Sequence, residues 1–158
     1  MIEATTARAW FLDFGQGFRA AVGLHEMSQV LLSVTLFKLP CTPQYCQEVF
    51  IFQNRILPVL DIVSLFHGGA INRSAANIIG VALYQAQPHQ PVHYGGFYLE
   101  VMPSNIVVSD DQAAHLPDEK HYWRPFTASC FTHEGEAIPI LNLAAFFTQQ
   151  LSDRGIYI

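Results

Sequence analysis

Seven histidines and three cysteines are the side chains in this sequence best suited to hold a metal or attack a substrate. Their spacing decides whether they can act together. His89-Gln90-Pro91-Val92-His93 sets two histidines four residues apart. On a helix that spacing would turn both imidazoles toward one ion. Pro91 lies between them, and proline breaks a helix interior. The segment reads instead as a hairpin loop, where the two rings do not converge. Cys41 and Cys46 lie five apart, with no second pair to complete a zinc site. An odd number of cysteines argues against a disulfide framework, so all three are expected to be small, partly buried apolar side chains. Cys46 or Cys130 with a histidine and an aspartate would make a nucleophilic dyad, but no local signature marks one and nothing points to a lowered thiol pKa. His133-Glu134-Gly135-Glu136 reads as a solvated hairpin tip. Gly95-Gly96 falls inside a strand and is expected to mark a bulge. No glycine-rich loop opens a helix in the form that cradles phosphate. The residues therefore offer no catalytic set, no metal site and no cofactor site, and the chemistry to look for is binding.

Composition points the same way. Of 158 residues, 51% are hydrophobic and only 13% charged, against about 25% charged in an average soluble domain. Such a chain folds, and it has apolar surface to spare for partners. The net charge of −5 and the lack of a basic stripe exclude nucleic acid. Val30 to Phe37 is among the longest apolar runs, far short of the ~20 residues a membrane span needs. The opening MIEATTARAW lacks the basic and apolar regions of a signal peptide. The expectation is one soluble, cytoplasmic domain without membrane insertion.

The elements that position any binding surface are legible in a repeat. Asn54-Arg-Ile-Leu-Pro-Val-Leu-Asp-Ile-Val-Ser-Leu-Phe66 recurs as Gly135-Glu-Ala-Ile-Pro-Ile-Leu-Asn-Leu-Ala-Ala-Phe-Phe147, 81 residues later. Each copy opens on a residue that tolerates positive φ, as a tight hairpin requires. An apolar strand follows, interrupted by Pro58 or Pro139. Proline cannot donate to a ladder, which predicts an edge position or a bulge. Asp61 or Asn142 then stands where a helix N-cap belongs, ahead of a short amphipathic turn. The unit reads as hairpin turn, strand, capped helical turn, and its recurrence predicts an internal duplication, with halves at about 8–67 and 76–150.

The remaining strands follow from apolar alternation and turn residues. Arg8 to Phe14 and Phe18 to Leu24 flank the turn Gly15-Gln16-Gly17. Gln29 to Phe37 is β-rich, Leu39 to Pro43 a rigid proline loop, and Tyr45 to Phe52 leads into the first copy. His67 to Ser74 is the expected junction between halves. Asn77 to Tyr84, Val92 to Val101, Ile106 to Val108 and Ala128 to Thr132 supply further strands. Asp110 to His121 reads as a loop with a helical turn. Short antiparallel strands in this number predict a mainly β protein of two small five-stranded, SH3-like barrels.

The stretch Pro40-Cys-Thr-Pro-Gln-Tyr-Cys-Gln-Glu-Val-Phe-Ile-Phe-Gln-Asn-Arg-Ile-Leu-Pro-Val-Leu-Asp61 resembles the CheW family of chemotaxis coupling proteins. Members read P-G-x-P-x-[WY] in the loop, N-x-R-G at the hairpin, and a P-x-x-D core after it. The prolines, the aromatic, the Pro-Val-Leu-Asp core and their spacing all match without a gap. Glu134 to Phe147 resembles the family's second hairpin and terminal helix. The resemblance implies two barrels sharing a core, with a groove between them. It also implies a non-catalytic scaffold that joins the cytoplasmic tips of chemoreceptors to the regulatory domain of a CheA-type histidine kinase, itself CheW-like. The array would serve chemotaxis or pilus motility, and no cofactor is implied.

The departures from the pattern are specific. The family's arginine is Gln53, which has neither the charge nor the guanidinium fork. Its glycines are Asn54 at the hairpin, Glu48 before it and Cys41 in the loop. Arg55 would share a strand face with Gln53 if the hairpin is regular, restoring a positive charge nearby. Carried over residue by residue, the partner-binding positions are Gln53, Asn54 and Arg55 at the hairpin, and Gln29 and Val30 before the proline loop. Core burial competes for Val30 and a solvated turn charge for Arg55. Two alternatives stay open. One is a CheW-like module that binds an array component without activating the kinase. The other is a small Cys/His enzyme or ligand-binding β protein.

Overall fold

The computed structural model describes residues 5–68 and 77–149. Strands β1 (Thr6–Gly15) and β2 (Phe18–Gly23) form the first hairpin. They are followed by β3 (Met27–Leu32), β4 (Phe37–Lys38), β5 (Glu48–Phe52), β6 (Arg55–Leu60) and helix α1 (Ile62–His67). After it come β7 (Ile78–Tyr84), β8 (His93–Leu99), β9 (Ser104–Ser109), β10 (Thr127–His133), β11 (Glu136–Leu141) and a wide helical turn, Ala145–Gln149. The strands make two curled sheets, in the orders β10-β11-β2-β1-β9 and β3-β7-β8-β6-β5-β4. The fold is mainly β, of the two-barrel kind expected. The sixth strand of the second sheet is β4, two residues laid against Val49 and Glu48.

The sheets do not coincide with the halves of the sequence. The β1–β2 hairpin lies with β9, β10 and β11, whereas β7–β8 completes the sheet begun by β3 to β6. Each half thus lends its opening hairpin to the other's sheet. The repeated units take equivalent places in this exchange. β6 meets β8 in parallel through Val59 and Leu60, and β11 meets β2 in parallel through Ile140. Of the expected junction, residues 69–74 lie outside the described residues.

Both copies keep the local chemistry read from the sequence. Gln53 and Asn54 have φ of 50° and 62°, and Glu134 and Gly135 have 51° and 78°. Two successive positive values make the tight turn whose twist suits a hairpin. Asp61 Oδ1 accepts from the Ser64 amide at 3.2 Å, and Asn142 Oδ1 from that of Ala145 at 3.2 Å. The prolines differ from expectation. β6 and β11 are flanked on both sides, not at an edge, and the register shift of the second hairpin falls at Thr127–Ser129 on the partner strand. Pro58 and Pro139 each sit one residue before the parallel pairing begins, where the missing N–H leaves no ladder bond unmade.

The largest apolar cluster lies between the sheets. It joins Leu12 and Phe14 of β1, Leu60 of β6, Phe97 of β8, and Trp123 and Phe146 from the second half. Where a groove lined from both halves was expected, the centre of the junction is therefore packed. Each sheet also curls around a smaller core, Phe50, Phe52, Leu57, Val59, Ile79, Val81 and Tyr98 in one, and Ala9, Ala21, Phe131 and Ile138 in the other. Gly95 and Gly96 serve these cores. They mark no bulge, since β7 and β8 pair without a register shift. A Cβ on Gly95 would lie 2.5 Å from Cζ of Phe147, and one on Gly96 would lie 2.7 Å from Cε1 of Phe50. The pair of glycines lets an aromatic ring settle on each face of β8.

Candidate functional site

The first hairpin presents its two faces to different surroundings. Phe50, Phe52, Leu57 and Val59 turn inward to the small core, so strand alternation turns Ile51 and Ile56 outward. These two face each other directly across the strands. Their exposures are 59% and 67%. Phe37, paired with Val49, lies on the same outer face and is 48% exposed. The sequence showed the alternation but did not single out Ile51 and Ile56. The signal was available, as two isoleucines at outward positions beside a tight turn.

Arg55 does not share a strand face with Gln53. Gln53 is the first residue of the tight turn, and Arg55 pairs with Phe52. The Arg55 guanidinium lies 5.4 Å from the centroid of the Tyr94 ring, which in turn contacts Phe52 at 5.8 Å. The charge rests on an aromatic face, an attraction of electrostatic origin. The family's arginine position is thus neutral here, and the nearby cation belongs to the opposite side of the hairpin from Ile56.

The other departures have local explanations. Glu48, in place of a glycine, accepts a hydrogen bond from the Tyr98 hydroxyl at 2.6 Å. Cys41, in place of a glycine, has φ of 59°, in the left-handed region that favours glycine. It is exposed, not partly buried as expected, because that turn points its side chain out of the proline loop. Gln29 is exposed on β3 and Val30 is half-buried, so Val30 is not a core residue. β3 and the β5–β6 hairpin are not neighbours in the sheet, and no ladder joins Gln29 and Val30 to Gln53, Asn54 and Arg55. The curl of the sheet does bring Leu31 against the same apolar cluster as Phe50 and Phe52.

The metal and nucleophile candidates stay apart. His89 lies in a loop and His93 opens β8. Among the described residues, no group of three His, Cys, Asp or Glu is placed to hold a metal ion. Burial pushes the Cys46 thiol up to about 11 and raises that of Cys130, the opposite of what a nucleophile needs. No helix among the described residues is long and apolar enough to cross a membrane.

No family model matches the sequence, and no curated protein matches it. The fold does have a match. The scaffolding protein TtCheW from Thermoanaerobacter tengcongensis aligns with a TM-score of 0.73, over 91% of this chain and 94% of that one, at 16% identity. The chain has the CheW fold. In this CheW-like chain the resemblance at Pro40 to Asp61 corresponds to the proline loop, the β5–β6 hairpin and the cap of α1. The side chains that depart from the family pattern gather on and around that hairpin.

Proposed function

We propose that this protein is a non-catalytic signalling scaffold of a cytoplasmic chemosensory array. It couples the cytoplasmic tips of chemoreceptors to the regulatory domain of a CheA-type histidine kinase. The observation that carries the reading is the CheW fold with an exposed tight hairpin, Gln53-Asn54, at the position of the family's partner-contact motif. Gln53, Asn54 and Arg55 form the proposed contact at the hairpin, and Gln29 and Val30 a second one on β3. Neither needs a reactive side chain, because anchors and shape supply affinity at such surfaces.

The test is calorimetric titration with the regulatory domain of each CheA-type kinase in the same genome. Micromolar binding to one of them, weakened by Arg55→Glu in a folded variant, is the expected result. No binding to any from a folded sample would refute the reading. The neutral Gln53 favours a second reading within the same class, a module that binds the array without activating the kinase. Kinase activity in a mixture reconstituted with receptor and kinase separates the two. Activation supports coupling, and binding without activation supports the second reading.

A further inference from the structure

Two tyrosines of β8 hold the two charged side chains of the β5–β6 hairpin. From Glu48 to Leu60 the charged residues are Glu48 and Arg55. Strand alternation puts both on the inner side, with Phe50, Phe52, Leu57 and Val59. β8 sends Tyr94 and Tyr98 toward the same small core, and Gly96 between them leaves space for the Phe50 ring. The Tyr98 hydroxyl donates to Glu48 at 2.6 Å. The Tyr94 ring centroid lies 5.4 Å from the Arg55 guanidinium. Both charges are thus held by a strand from the other half of the sequence.

The two ends of the hairpin differ in what is left over. Glu48 accepts a hydrogen bond from its tyrosine, whereas Tyr94 engages the charge of Arg55 and none of its five N–H donors. Among the described residues, Arg19 and Lys120 pair with Glu136, and Arg124 with Asp118. Arg8, Lys38 and Arg55 pair with no carboxylate there, and of these only Arg55 rests on a ring. The seat is itself fixed, because Tyr94 is half-buried and its ring lies 5.8 Å from that of buried Phe52. A long exposed side chain loses rotamer freedom when a partner binds it. The ring restricts Arg55 in advance and lowers that cost, while the guanidinium stays exposed to an acceptor from outside.

We infer that Tyr94 is a positioning residue for partner recognition, and that the Arg55 guanidinium it holds takes a carboxylate side chain of the kinase regulatory domain. The inference rests on the adaptor reading above. It adds a residue outside the hairpin and the chemistry of the group bound. The test is a double-mutant cycle, read as affinity for the regulatory domain. Arg55→Gln is expected to weaken binding about 10-fold, the lower end for losing a hydrogen bond to a charged group. Tyr94→Leu is expected to weaken it about 2- to 5-fold, the range for an exposed cation–π contact. Tyr94→Phe keeps the ring and binds like the wild type. In the Arg55→Gln background Tyr94→Leu changes affinity less than about 1.5-fold, because nothing is left to position. A merely structural role for Tyr94 predicts the same loss in both backgrounds, and that result overturns the inference. So does a loss in Tyr94→Phe as large as that in Tyr94→Leu. Affinity should also fall less with rising salt in Arg55→Gln than in the wild type, and equal salt dependence overturns the carboxylate. In the free wild type, the ring current of Tyr94 should shift the Arg55 δ-proton resonances upfield, a readout that no variant's folding affects. Arg55 resonances at their unperturbed positions overturn the seat. The adaptor reading survives each of these results. Absence of wild-type binding to every kinase domain overturns that reading and this inference together.

Discussion

Gly95→Ala is a sharp test of how the shared core is built. The φ of Gly95 lies outside the left-handed region, so alanine meets no backbone strain there. The cost is steric alone. The new methyl would stand 2.5 Å from Cζ and 2.7 Å from Cδ1 of Phe147, where carbon contacts settle at about 3.5–4.0 Å. The ring would have to move by about 1 Å. It is stacked on Tyr84 at 5.1 Å and 8°, and packed against Phe97 at 5.1 Å, so it has little room to yield. Overpacking of this kind costs about 1–3 kcal/mol, and the reduced entropy of the unfolded chain returns about 0.4–1. A net loss of about 1 kcal/mol lowers Tm by about 2–4 °C in a chain of this size. The assay is a double-mutant cycle with Phe147→Leu, read by urea and thermal unfolding. Phe147→Leu alone loses aromatic packing. In its background Gly95→Ala should cost less than about 0.5 kcal/mol, because the methyl then has space. A neutral Gly95→Ala, or additive costs in the double variant, would refute the account of the glycine pair.

Other expectations follow from single contacts. Asp61→Ala and Asn142→Ala each remove an N-cap acceptor and should each cost about 1 kcal/mol in urea unfolding, with Asn instead of Asp at position 61 retaining most of the stability. Burial alone would raise the Glu136 carboxyl, but the hydrogen bond and charge of Lys120, joined by Arg19, hold it below the usual range. A depressed folded-state pKa stabilises above the unfolded value of about 4.3 and loses that contribution as pH falls through the folded value. Unfolding measured from pH 7 down to 3 should therefore fall less steeply in Glu136→Gln than in the wild type. With thiols the sign reverses. The Cys46 pKa, pushed up to about 11 by burial, gives stability present below about pH 8.5 and lost as pH rises through the folded value. At pH 8 alkylation should modify Cys41 quickly and Cys46 and Cys130 only at the rate of opening, which mass spectrometry reads site by site.

The local units were legible because their signals are local. Alternating apolar residues, turn residues that accept positive φ and carboxylate or amide caps act within a few bonds, so both repeated hairpins and both caps could be read directly. Several of the errors came from contacts remote in sequence. Gly95-Gly96 looked like a bulge because the rings of Phe50 and Phe147 that need the space are more than 40 residues away in each direction. Pro58 looked like an edge residue because the neighbour on its other side, β8, is met only for Val59 and Leu60. Arg55 looked like a substitute for Gln53 because its aromatic seat, Tyr94, belongs to another strand. At the candidate site, the hairpin and its departures could be found from the residues. The bare outer face could not, since it depends on what the rest of the chain leaves uncovered.

The sequence by itself determined the kind of protein this is, a mainly β chain carrying two copies of one hairpin-and-cap unit and no clustered chemistry. Hydrophobic period and turn geometry suffice for that, because each is settled by residues adjacent along the chain. Only the tertiary structure decided how the copies combine. The opening hairpins trade sheets, the largest core forms between the sheets, and Ile51 and Ile56 of the first repeated hairpin are left exposed. Those outcomes depend on which surfaces bury each other, and burial is set by the packing of distant segments and not by the order of neighbouring residues.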